Sequence, residues 1–77
     1  MSWNYRILAT EVNQEVTLYM CEVYYDEQGV PDGYADASPI GSETKKEIKW
    51  VLRMMEIGSK KGILWGGERF PEPYTTK

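Results

Sequence analysis

From Trp3 to Glu11 the chain alternates, WNYRILATE, so an extended backbone puts Trp3, Tyr5, Ile7 and Ala9 on one face and Asn4, Arg6, Leu8 and Thr10 on the other. The aromatic and β-branched content predicts a strand, with the first set turned to the core. VNQE, around Asn13, supplies a polar turn, and VTLYMCEVYYD from Val16 to Asp26 predicts a second, longer strand that pairs with the first as a hairpin. Its odd face carries Thr17, Tyr19, Cys21, Val23 and Tyr25; its even face carries Val16, Leu18, Met20, Glu22 and Tyr24. Neither is consistently polar, which points either to a bulge that exchanges the faces or to a sheet covered on both sides. The odd face is assigned inward. DEQG, Asp26 to Gly29, predicts a turn, because Asp caps it and Gly tolerates positive φ. A third strand is expected over residues 30–37, confined to an edge because Pro31 cannot donate to a ladder and Gly33 weakens one.

The period then changes from two to 3.6. SETKKEIKWVLRMMEIG, residues 42–58, predicts an amphipathic helix over residues 43–57, with Ser42 as N-cap, Glu43 in the first turn, Gly58 as the terminating residue and Lys60 and Lys61 just beyond. Ile48, Val51, Leu52 and Met55 form its core stripe. Trp50, Met54 and Ile57, at i, i+4 and i+7, form a second apolar stripe nearly opposite the first and away from the basic residues of the helix. Lys45, Lys46, Lys49 and Arg53 gather on one flank as a basic ridge. GILW, ending at Trp65, predicts a short fourth strand, and GGERFPEPYTTK a turn followed by an extended tail. The expected architecture is α+β: an antiparallel β-meander of three to four strands packed on one amphipathic α-helix, two layers, with residues 1–67 as a single domain and 68–77 as tail.

Size sharpens the question that the second stripe raises. At 77 residues a single core only just outweighs the entropy lost on folding. Cys21, the sole cysteine, cannot form an intramolecular disulfide, and with no histidine a zinc site has no ligand set. Oligomerisation is the support that remains, and the second stripe, with the Trp and Met that interfaces favour, is where it is expected. Three covers fit: the chain's own tail through Phe70, Pro71 and Tyr74, a second copy, or another protein. Charge favours a second copy. No Lys or Arg lies between Arg6 and Lys45, a span rich in Asp and Glu, whereas eight basic residues follow from Lys45 on. Lys45 with Lys49, and Lys49 with Arg53, repel at i,i+4, so something acidic is expected beside the ridge.

Other chemistries are less well supplied. Without histidine the usual general base near neutral pH is missing, and Cys21 sits mid-strand with no neighbouring cation to activate it, so no catalytic residue is expected. Asp32, Asp36, Ser38 and Glu43 echo an EF-hand spacing, but Tyr34 and Ala37 occupy a ligand position and the required glycine; no metal or cofactor is expected. GGERF lacks the lysine of a phosphate loop. Nucleic acid would meet repulsion outside the ridge at a pI near 4.9. MSWNYRILATE has no leader pattern, and no apolar run reaches the roughly 20 residues of a membrane span, so a soluble, cytoplasmic protein without membrane contact is expected.

MSWNYRI, CEVYYDEQG and the amphipathic helix that follows resemble a family of short bacterial proteins that open on an MSWNYR-like segment and have no assigned activity. The resemblance covers roughly the first 60 residues, implies the same α+β fold, and implies no site. ERFPEPYTTK departs from it. The expectation is a non-enzymatic protein-interaction module, homodimeric, contacting partners through the Trp50 stripe and a sheet edge. The alternatives are a nucleic-acid-associated regulator using the ridge and a small-ligand binder between sheet and helix.

Overall fold

Asn13 and Gln14 both take positive φ, 52° and 69°, and so close a two-residue turn between strands β1 (Ser2–Val12) and β2 (Glu15–Tyr25). The computed structural model describes residues 2–75. Pairing runs without interruption from Val12 opposite Glu15 to Ser2 opposite Tyr25. Because the turn has two residues, odd positions of β1 lie beside even positions of β2. Trp3, Tyr5, Ile7 and Ala9 therefore share a face with Tyr24, Glu22, Met20 and Leu18, while Asn4, Arg6 and Leu8 share the other with Val23, Cys21 and Tyr19. The two odd faces assigned to the interior from sequence thus lie on opposite sides of the sheet. Both sides bury residues: Tyr5 and Ala9 on the first, Leu8, Cys21 and Val23 on the second. The sheet is covered twice.

Asp26 builds the next turn as an Asx turn, its carboxylate accepting from the backbone N–H groups of Gln28 and Val30 at 2.9 Å each, with Gly29 at φ 78°. It leads into the edge strand β3 (Pro31–Asp36), whose ladder with β2 slips by a bulge between Tyr24 and Tyr25. Helix α1 spans Lys45–Ser59. Its N-cap is Thr44 rather than Ser42: the Thr44 hydroxyl accepts from Glu47 N–H at 3.2 Å, the first half of a capping box. Ser42 instead donates its hydroxyl to the Glu47 carboxylate. Gly58 lies within the helix, not after it, and Lys60 is the C-cap. What requires glycine there is contact: a methyl on Gly58 would sit 2.7 Å from the Tyr5 carbonyl carbon and nearer still to its oxygen.

Strand β4 (Leu64–Trp65) runs parallel to β1, Leu8 beside Leu64, giving a mixed sheet of order β3-β2-β1-β4. The α+β class stands; the all-antiparallel meander gives way to one parallel edge. After a 3₁₀ turn at Gly67–Arg69 the chain folds back along β4, with Trp65 N–H donating to the Glu72 carbonyl and Tyr74 N–H to the Ile63 carbonyl, both at 2.8 Å. Phe70 packs on Tyr34, ring centroids 4.8 Å apart, against the cluster of Leu8, Cys21, Val23 and Leu64. This returning segment is the second cover, on the side away from the helix. The expected tail residues Thr76 and Lys77 fall outside the described residues. No helix among those described is long and apolar enough to cross a membrane.

Candidate protein-binding groove

Contact with one strand decides how α1 presents its apolar residues. The helix rests on β1, its C-terminal half held close by Gly58 on the Tyr5 backbone. Ile48, Val51, Met54 and Met55 are half-buried and Gly58 is buried, whereas Leu52 is 50% exposed. The inward arc is thus rolled from the expected stripe by roughly 50°, half the 100° step between residues, which turns Leu52 outward and Met54 inward. Trp50 and Ile57 stay on the flank of that arc, and Trp50 is 56% exposed.

Across from them stand Trp3 and Tyr5, packed edge to face with ring centroids 5.2 Å apart, Trp3 itself 48% exposed. Between the two walls lies an open groove of about 450 Å³, lined by Trp3, Asn4, Tyr5, Trp50, Met54, Ile57, Gly58 and Lys61. The three residues of the second stripe therefore share one site. Trp3, Tyr5 and Lys61, which the sequence reading placed in the core or at the helix end, complete it. No acid lines it. The stripe is not set apart from the basic ridge as expected: Lys46 lies one turn before Trp50, and Arg53 one turn after Trp50 and one before Ile57, so the helical rim of the groove is cationic.

Phe70 and Tyr74 do not join the groove. Phe70 is on the opposite side of the sheet against Tyr34, and Tyr74 meets Trp65 edge to face at 5.0 Å. The tail is consequently not the cover of Trp50. Lys45, Lys46, Lys49 and Arg53 are all exposed, and among the described residues the one ion pair on the helix joins Lys60 to Glu56 at 3.8 Å. Glu56, one turn after Arg53, stands at the end of the ridge, yet no ridge cation pairs with an acid among the described residues of this chain.

Burial pushes the Cys21 thiol above its usual range, with the Asp36 carboxylate adding to it, so the thiolate needed for nucleophilic work is disfavoured. The Tyr24 hydroxyl donates to Glu22 at 2.8 Å, a bond that raises the phenol pKa. Arg6 donates through Nε to the Gly62 carbonyl at 2.7 Å and through Nη1 to the Tyr25 hydroxyl at 3.2 Å, tying β1 to the segment before β4. Arg69 stacks 3.9 Å above the Trp65 ring, closing that edge. Among the described residues no three of Cys, Asp and Glu gather as a metal site. Comparison of the chain with family models, with curated proteins and with solved structures finds no match.

Proposed function

We propose that this chain is a small non-enzymatic protein-interaction module that self-associates through the groove between Trp3–Tyr5 and Trp50, Met54 and Ile57. One observation carries this: two half-exposed tryptophans face a common apolar groove that no part of the described chain covers. With Trp50 56% exposed, about 140 Å² of a ~250 Å² side chain remains to be buried, worth about 3.5 kcal/mol at ~25 cal/mol per Å². The outer edge of β3 is a poorer contact, because Pro31, Asp32 and Asp36 blunt it against strand addition. A buried, unpaired Cys21 suits a reducing compartment, and we place the protein in the cytoplasm.

Sedimentation equilibrium tests the proposal. Wild type is expected to be dimeric at micromolar concentration, and Trp50→Ala to weaken the dimer about 100-fold or more while leaving the monomer folded. A wild-type chain that stays monomeric at high micromolar concentration would overturn it. Nucleic acid is the second candidate, favoured by ridge cations that form no ion pair among the described residues. It would be supported instead by micromolar binding to random duplexes at about 150 mM salt that is lost when Lys45, Lys49 and Arg53 are neutralised together.

A further inference from the structure

The groove is apolar with a cationic rim, so its occupant must be apolar and acidic. The same chain presents such a surface at the other end of the sheet. At the β1–β2 turn Val12 is 67% exposed, Val16 and Leu18 are also exposed, and Glu11 and Glu15 stand among them with no Lys or Arg between Arg6 and Lys45. Glu11, Val16 and Leu18 lie on the face that carries Trp3 and Tyr5, because Glu11 is an odd position of β1 and pairs with Val16. From Tyr5 to Glu11 is six residues of strand, about 20 Å. Two copies related by a two-fold axis with their β1 strands antiparallel would set each hairpin end over the other's groove at the same time. Such a pair is closed, residue i meeting j and j meeting i, and does not propagate into a filament.

We propose that the occupant of the groove is the β1–β2 hairpin end of a second copy, with Val16 and Leu18 against Trp3, Trp50 and Ile57, and Glu11 beside Lys46 and Arg53; Glu15, paired with Val12, lies on the other face of the hairpin. This rests on the groove being the site of self-association. It also supplies an acid beside ridge cations that form no ion pair among the described residues of their own chain.

Reciprocal charge reversal tests it. Glu11→Lys puts like charge at both contacts of a homodimer, and so does Lys46→Glu with Arg53→Glu. All three residues are exposed, so folding is not at stake. Each variant alone is expected to dimerise at least about tenfold more weakly than wild type, and an equimolar mixture to form a 1:1 heterodimer of near wild-type affinity, since its contacts are again complementary, whereas Glu15→Lys, on the other face of the hairpin, is expected to dimerise like wild type. Glu11→Lys and Lys46→Glu/Arg53→Glu proteins that each dimerise like wild type, or a mixture that does not recover, would overturn the hairpin as occupant. If Trp50→Ala still breaks the wild-type dimer in that case, the groove stands as the interface with a different surface seated in it. A wild-type dimer indifferent to Trp50→Ala would remove the groove and the hairpin together.

Discussion

Replacing Gly58 by alanine isolates the contact that sets the helix on the sheet. In an exposed helix interior this change gains about 1 kcal/mol, because alanine is the better helix former. Here the new methyl would stand 2.7 Å from the Tyr5 carbonyl carbon and 3.0 Å from its Cβ, and nearer still to the carbonyl oxygen. Two of these atoms are backbone in the β1 ladder, so no side chain can swing aside. The helix must retreat by on the order of 1 Å, loosening Met54 and Met55 from β1 and widening the groove. Overpacking of this kind costs about 1–3 kcal/mol, which exceeds or cancels the helix gain and leaves a net loss of up to about 2 kcal/mol. In a domain of this size each kcal/mol lowers Tm by roughly 4–8 °C, well within thermal or urea melting. Gly41→Ala, with nothing within 4 Å of the added methyl, is the control and is expected within about 0.5 kcal/mol of wild type. A Gly58→Ala protein more stable than wild type would refute the close contact and the placement of the helix that follows from it.

Leu52→Ala is expected to cost under about 1 kcal/mol because that side chain is half in water, whereas Leu8→Ala, at 1% exposure, should cost about 2–5 kcal/mol; urea melts of the pair check the roll of the helix. Gln14→Gly is expected to stabilise the fold by about 0.5–1 kcal/mol, since φ 69° is disfavoured for glutamine; an unchanged urea midpoint would count against the turn geometry. Cys21 carries the pH dependence. Its thiol is raised in the folded chain, so the stability it contributes is fully present below the unfolded thiol pKa of about 8.5 and is lost as pH rises through the folded value. Alkaline destabilisation starting near that pH should be smaller in Cys21→Ala, and native labelling by a thiol reagent should be slow against rapid labelling in denaturant.

Much of this fold is legible in local signals. The strand periods, the Asp26–Gly29 turn and the change of period at the helix each depend on nearby residues, and the structure places all of them where those residues point. Two further features follow from equally local rules. A two-residue turn forces odd β1 positions beside even β2 positions, so the odd faces of both strands could never share an interior. Thr44 with Glu47 is a capping box in plain sequence, and it outranks Ser42 because it satisfies the helix N-terminus directly. The rest depends on tertiary placement. α1 has apolar residues around most of its circumference, and which of Leu52 and Met54 turns inward follows from its resting on a single strand through Gly58, a contact 53 residues away in sequence. The fold-back of residues 68–75 likewise depends on Phe70 meeting Tyr34 from a distant strand. For the groove, the Trp50, Met54 and Ile57 wall was visible as a stripe with nothing to cover, but its opposite wall of Trp3 and Tyr5 was hidden because strand alternation assigns them to the core.

The three tryptophans provide the most direct measurement of the central claim. Trp3 and Trp50 line the groove, whereas Trp65 is 9% exposed beneath Arg69 and against Tyr74. In ¹H–¹⁵N correlation spectra recorded across a concentration series spanning the dimer Kd, the indole cross-peaks of Trp3 and Trp50 are expected to shift together while that of Trp65 stays in place. Self-association that moves the Trp65 indole and leaves Trp3 and Trp50 fixed would contradict the account, as would three indoles that do not move at all.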